Sequence, residues 1–275
     1  VKPIGVFDSG VGGLTVLREL RNTFPGDDFI YLGDTARLPY GTKSAATVTR
    51  YSLQCADLLV RRGIRCLVVA CNTASASALG PLRAAHPGIP VIGVIDPGAE
   101  AAVRASRSRH IAVIGTEGTV AGGAYQAAIR QLDPGVRVTA AACPLFVALA
   151  EEGWVKGEIP GGAARRYLEP LFAVPDVPDT LVLGCTHFPL LQAAIQAALP
   201  PGVQVVDSAA TTAAAARRLV RPAQAAAGGV TWLATDDAAR FARVGSRFLG
   251  EPLQAGAIEI VDLGMAQADV PDPAT

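Results

Sequence analysis

The sequence predicts an α/β protein: two similar parallel-sheet α/β domains related by pseudo-two-fold symmetry, with the functional cleft between them. Three observations carry this. Short apolar, β-rich runs alternate with longer helical stretches, each run is bounded by Gly, Pro or Asp, and the order of blocks in the first part of the chain returns in the second. Strands covered by helices on both faces of a parallel sheet have no solvent side, so they read as continuous apolar runs.

The elements follow in order. "IGVF" (4–7), "FIYL" (29–32), "CLVVA" (66–70) and "VIGVI" (91–95) are predicted strands, too short for helices. Between the first two, Leu14, Leu17, Leu20 and Phe24 fall on one helical face. Residues 44–62 open on Ser44, carry Val48, Cys55, Leu58 and Leu59 at helical spacing, and stop before Gly63. Ser as N-cap and Gly after the last turn are helix punctuation.

The pattern then repeats. "IAVI" (111–114) follows "IGVF" by 107 residues, and "CPLFVALAEEG" (143–153) follows "YLGDTARLPYG" (31–41) by 112. "LVLGC" (181–185) follows "LVVAC" (67–71) by 114, and "VQVVD" (203–207) follows the "VIGVID" block by about 111. So long a period excludes a solenoid and implies a duplicated domain. The remainder holds a helix (209–219), a strand "VTWLA" (230–234), a helix (236–248) and the strand-like "IEIVDL" (258–263), expected to complete the first sheet. The domains are therefore expected at 1–96 plus 208–275, and at 97–207. "QADVPDPAT" is expected to be a loose tail.

Composition narrows the function. Half the residues are hydrophobic and 17% are charged, which supports a packed core. Acidic and basic residues balance at 24 each, so no global field attracts nucleic acid or an anionic membrane. No apolar run approaches the roughly 18–20 residues that span a bilayer. The N-terminus enters a strand-like run at once, without a secretory layout. Five cysteines without a CxxC pair read as reduced thiols in a cytoplasm. The expected partners are a small molecule or a second copy of the chain.

Open α/β sheets bind ligands beyond the carboxyl ends of their strands. Asp8, Ser9 and the "GVGGLT" turn follow the first strand; Cys71, Asn72 and Thr73 follow the third; Cys185, Thr186 and His187 follow its counterpart in the second half. The turn lacks the Gly-Lys-Ser/Thr of a P-loop, and Thr15 stands where a dinucleotide fingerprint needs Gly. Its amides, with Ser9 and the following helix N-terminus, are expected to hold a carboxylate instead. Cys55 lies in the apolar stripe of a helix and Cys66 begins a strand, so both are expected in the core, His86 and His110 are expected to be peripheral, and Cys143 aligns by offset with Tyr31.

Cys71 and Cys185 each end a strand where a helix begins, a position that favours thiolate. The spacing Cys185-Thr-His187 is unusual for zinc. A Cys185–His187 nucleophile leaves Cys71 without a role, and a redox disulfide needs the sulfurs almost in contact. Two-base chemistry uses every feature: thiols on opposite faces of one carbon remove a proton from one side and return one from the other. Neither metal nor cofactor is then required. Asn72, Thr73, Thr186 and the turn amides would stabilise the carbanion through the substrate carboxylate, with Asp8 and His187 tuning the thiols.

The motifs "VFDSGVGGLTV", "YLGDTARLPYGTKS", "VVACNTASA", "VIGTEGTV", "CPLFVALAEEG" and "LVLGCTHFPLL" resemble those of the glutamate racemases, in the cofactor-independent aspartate/glutamate racemase superfamily. The resemblance spans nearly the whole chain. It implies interconversion of L- and D-glutamate for peptidoglycan, without cofactor. It implies that Cys71 takes the proton from D-glutamate and Cys185 from L-glutamate, with Asp8 and His187 assisting and Glu151 as a further helper. It also implies substrate contacts from Asp8, Ser9, Tyr40, Gly41, Asn72, Thr73, Thr186 and His187, and allows a homodimer. The chain departs from the family pattern at Asp96, where Glu is expected, and at Ala148 and Ala150, where Pro or bulkier residues are usual.

Overall fold

The computed structural model describes residues 1–264. The chain begins with β1 (Ile4–Asp8), α1 (Leu14–Thr23), β2 (Phe29–Gly33), α2 (Ala45–Arg61), β3 (Cys66–Val69), α3 (Asn72–Ala85), β4 (Val91–Gly93) and α4 (Ile95–Ala105). The second half contains β5 (His110–Gly115), α5 (Glu117–Ala121), α6 (Ala124–Leu132), β6 (Arg137–Ala142), α7 (Leu145–Glu152), α8 (Glu158–Phe172), β7 (Thr180–Gly184), α9 (Gln192–Ala197) and β8 (Gln204–Asp207). After it come α10 (Ser208–Leu219), β9 (Val230–Ala234), α11 (Ala238–Leu249) and β10 (Ile258–Ile260).

These strands make two all-parallel sheets, in the orders β10-β9-β2-β1-β3-β4 and β6-β5-β7-β8. The order β2-β1-β3-β4 recurs as β6-β5-β7-β8, so the repeat read along the chain is a repeat of topology. β9 and β10 extend the first sheet beyond β2, as expected of the C-terminal segment.

Strand alternation explains the core. In the first sheet Ile4, Val6, Tyr31 and Val68 face one apolar cluster, whereas Phe7, Leu32 and Val69 face another under α2 and α3. The first of these clusters runs without a break into the second sheet, through Ile95, Val113 and Val182. Two helices make that continuity. α4 leaves β4 of the first sheet yet packs on β7, β8 and α6, while α10 leaves β8 of the second sheet yet packs on α1 and β4.

Several boundaries differ from expectation, each for a local reason. "VIGVI" is strand only to Gly93, and the helix begins at Ile95. α11 starts at Ala238 because the Asp237 side chain caps it, accepting from the Arg240 amide. "IEIVDL" is strand for Ile258–Ile260 alone. β6 (RVTAAA) was not anticipated: it is an alanine-rich, half-buried edge strand without a bulky apolar run. It also corrects the alignment of Cys143 with Tyr31. The Cys143 amide donates to the Gly115 carbonyl just as the Asp34 amide donates to that of Asp8, so Cys143 corresponds to Asp34, one residue past its strand. The segment "QADVPDPAT" lies outside the described residues.

The entry to β7, which ends just before Cys185, is held by one carboxylate. Asp179 accepts from the Ser106 hydroxyl and the Arg107 and Ser108 amides, each at 2.7 Å, and from the Thr180 hydroxyl at 3.0 Å. Burial opposes ionisation, but these donors hold its pKa down at about 2. A depressed carboxylate contributes stability above its unfolded pKa, near 3.9, and loses it as pH falls through the folded value. Asp179→Ala is expected to lower unfolding stability by about 2–3 kcal/mol at neutral pH. In urea titrations the deficit should shrink steadily between about pH 4 and 2.

Candidate active site

The carboxyl ends of β1 and β3 face those of β5 and β7 across a cavity of about 280 Å³. Cys71 and Cys185 both line it, each buried to 6% exposure. From the first half Ser9, Tyr40, Gly41, Asn72 and Thr73 also reach the cavity; from the second, Glu151, Thr186 and His187 do. Asp8 does not: it sits behind the wall, fully buried.

The two cysteines share an address but not an environment. Cys71 is the N-cap of α3 in extended conformation, and its sulfur accepts from the Ala74 amide at 3.5 Å. It also lies 3.7 Å from the Ser9 hydroxyl. The expected drift toward thiolate does not occur here. Burial, then the nearby Asp8, push this thiol up to about 12, against the smaller help of the cap and Ser9. Cys185 precedes a short 3₁₀ turn, Phe188–Leu191, in place of a long helix, and its sulfur contacts His187 Nδ1 at 3.8 Å.

His187 is held on three sides. Its Nε2 meets Glu151 Oε1 at 3.2 Å, and its ring stands edge-on to Phe248, centroids 4.9 Å apart. Burial disfavours the imidazolium, but Cys185, Glu151 and Asp8 outweigh it and push the histidine up to about 10. Glu151 is completed by Arg240, whose guanidinium donates to Oε2 at 2.7 Å.

Asp8 itself absorbs part of the glycine-rich turn. The Gly10 amide donates to Asp8 Oδ2 at 3.0 Å, so that amide serves the protein's own carboxylate and not a ligand's. Burial raises the Asp8 pKa, moderated by His187 and the turn amides. Thr15, the residue that broke the dinucleotide pattern, donates to the Thr186 carbonyl at 3.1 Å across the two halves.

Among the described residues three buried side-chain polar atoms lack a partner, and two belong here: Asp8 Oδ1 and Asn72 Nδ2. Asn72 is oriented by Tyr125, whose hydroxyl donates to its Oδ1 at 2.8 Å. An unpaired buried donor costs about 1–3 kcal/mol, so a site that keeps one is built for an acceptor that arrives from outside. The Tyr40 hydroxyl is spent on Asp34. Among the described residues no group of three or more His, Cys, Asp or Glu is placed to hold a metal ion, and no helix is long and apolar enough to cross a membrane.

Sequence reasoning missed Thr116, Tyr125, Arg240 and Phe248. Thr116 lines the cavity and bonds Thr73 through their hydroxyls at 3.0 Å. The repeat could have found it, because the offset of 107 that takes Ile4 to Ile111 takes Ser9 to Thr116. The other three carry no such signal.

Residues 4–216 match the family described as Asp/Glu/Hydantoin racemase. The chain is 51% identical over 257 residues to the glutamate racemase of Geobacter metallireducens, covering 92% of this chain and 94% of that protein. It is 46% identical over 251 residues to the glutamate racemase of Aquifex aeolicus, covering 91% and 95%. The structure resembles that of Francisella tularensis glutamate racemase in complex with D-glutamate, with TM-score 0.88, 34% identity and coverage of 95% and 98%. It also resembles the Thermus thermophilus glutamate racemase in complex with β-chloro-D-alanine, with TM-score 0.85, 43% identity and coverage of 95% and 97%.

A Cβ added at Gly12 would lie 2.4 Å from His187 Nδ1 and 2.5 Å from Thr186 Oγ1. Gly12→Ala is therefore expected to push His187 off Cys185 and lower turnover roughly 10²-fold. Steady-state kinetics alongside a thermal melt checks it, with the melt moving far less than the rate.

Proposed function

The chain belongs to the Asp/Glu/hydantoin racemase family, and from that premise we propose that it interconverts L- and D-glutamate, with Cys71 and Cys185 as the paired acid and base. The observation that carries the reading is the placement of one cysteine from each half, at the same strand end of a duplicated sheet, on one small cavity. In the L-to-D direction Cys185, as thiolate, takes the α-proton while Cys71, as thiol, supplies a proton to the opposite face of the carbon. The reverse direction exchanges the roles. Each turnover moves one proton onto one sulfur and one off the other, so the charges balance and no cofactor takes part.

The environments suit this. A Cys71 thiol pushed up to about 12 keeps its proton in the free site and is ready to donate it. A cationic His187 beside Cys185 stabilises negative charge on that sulfur whenever it is formed. Asn72 Nδ2 presents a buried donor for the substrate carboxylate, whose conjugated carbanion it would stabilise as charge builds there. Ser9, Gly41, Thr73 and Thr186 complete the substrate contacts in this reading. Tyr40 contributes without its hydroxyl, and Asp8 acts from behind Cys71. The division into 1–96 plus 208–275 and 97–207, a cytoplasmic location for a protein whose five cysteines are all free, a role in peptidoglycan supply and a homodimer belong to the same proposal.

The Cys185–His187 contact also fits a thiol hydrolase, which has no use for Cys71. Incubation with either glutamate enantiomer in D₂O separates the two. Racemisation should proceed with deuterium appearing at Cα, and Cys71→Ser should slow it by roughly 10²–10⁴-fold. No deuterium uptake from either enantiomer, or a Cys71→Ser protein with full activity, would sink the two-thiol reading.

A further inference from the structure

His187 and Glu151 come from the second half of the chain, but what holds them comes from α11, on the first sheet's side. Arg240, Arg247 and Phe248 are seven and eight residues apart, which puts them on one face of that helix. Arg240 donates to Glu151 Oε2, Arg247 donates to the Glu151 carbonyl, and Phe248 stands edge-on to the His187 ring. Arg247 also lies against Gly153, the left-handed residue that ends α7. The opposite side of α11 is anchored in its own half, where Gly245 packs on Leu14 and Leu253.

We infer that Arg240 is a positioning residue: reaching across from the other half, it fixes the Glu151 carboxylate so that one oxygen meets His187, and thereby holds the histidine beside Cys185. This rests on the two-thiol reading. The carboxylate is bridged, one oxygen to Arg240 and the other to His187, so its rotation is set from outside its own helix. The guanidinium is 38% exposed, which makes the pair a weak contributor to stability and leaves geometry as its role. The charged and titratable groups facing His187 are Cys185 from the end of β7, Glu151 from α7 and Asp8 from the end of β1; Arg240 faces it through Glu151. Removing Arg240 thus takes order from the carboxylate that keeps the imidazole protonated, and the lost Glu151–His187 contact outweighs the loss of a nearby cation, which alone would favour the imidazolium.

The test is the pH profile of kcat/KM for Arg240→Met, Arg240→Lys and the parent protein, repeated in a Glu151→Gln background. Arg240→Met is expected to lower kcat/KM by about 10- to 100-fold. It should also move the alkaline limb down by about one pH unit. Arg240→Lys should restore the limb. In the Glu151→Gln background, Arg240→Met should change the rate less than about twofold, because the residue through which it acts is gone. An unmoved limb in Arg240→Met, or an equal loss in both backgrounds, overturns the inference. Should Arg240→Met fail to fold, Arg240→Gln, which keeps a donor without the charge, is read by the same criteria. A parent protein that does not exchange its substrate's α-proton fails the two-thiol reading itself, before Arg240 enters.

Discussion

The site depends on how closely the backbone at Gly12 approaches the side chains of Thr186 and His187. The glycine-rich turn after β1 presses on Thr186 and His187 so tightly that not even a methyl group fits between them. Thr15, two residues into the next helix, bonds the Thr186 carbonyl from the same side. The turn therefore works as a spacer between halves, setting where His187 stands relative to Cys185. Further round the cleft Gly41 does the same against Thr116, where a Cβ would lie 2.8 Å from the threonine Cβ. The glycines are needed for proximity, not for unusual backbone angles. The crossed helices α4 and α10, each packed on the sheet that did not produce it, resist the separation that such close contacts would otherwise allow.

Within that frame the duplication has been made unequal around its two sulfurs. Cys71 caps a regular fourteen-residue helix and sits between an acid and a hydroxyl, an environment that favours the neutral thiol. Cys185 heads a short 3₁₀ turn, and its sulfur lies against His187 Nδ1. The offset of 114 that takes Cys71 to Cys185 takes Thr73 to His187, so a hydroxyl in the first copy is replaced by an imidazole beside the sulfur of the second. Asp8 completes the asymmetry: it raises the Cys71 pKa and supports a charged His187, acting on both sulfurs from one buried position.

The parts legible in the sequence were those written in local pattern. β1, β2, β3 and β7 are continuous apolar runs, and the paired cysteines emerged because "LVVAC" and "LVLGC" are two copies of one strand end. β6 was illegible because an edge strand of alanines has no apolar run to see. The anion-binding reading of the turn was physically sound, but at Gly10 the anion is Asp8 of the same turn, a choice made by three-dimensional proximity alone. The rise of the Cys71 pKa could not be read either: a helix N-terminus lowers a thiol pKa, but how deeply the sulfur is buried depends on the whole opposing half. Arg240 and Phe248 lie far along the chain in a segment with no counterpart in the repeat, so neither motif nor offset points to them.

In the proposed reaction an unequal pair of thiols must serve two enantiomers from one site. L- and D-glutamate have the same free energy in water, so the equilibrium constant is one and kcat/KM must be equal in both directions whatever the environment of each sulfur. The asymmetry can appear only in how that ratio is divided. In the two-thiol proposal a free site whose Cys71 thiol is held protonated by burial and Asp8 is poised to give that proton up, as the L-to-D direction asks of it, whereas the D-to-L direction needs the form in which Cys71 has lost it. The scarcer form makes D-glutamate bind to a smaller fraction of the protein, which weakens its apparent affinity by that fraction. Once bound, it reacts from a ground state less stabilised than its mirror image, so its turnover is faster in proportion. In that proposal the duplication supplies two bases, and its departures from symmetry, through Asp8, His187 and the helix that grips Glu151, set how binding and turnover are divided between the enantiomers.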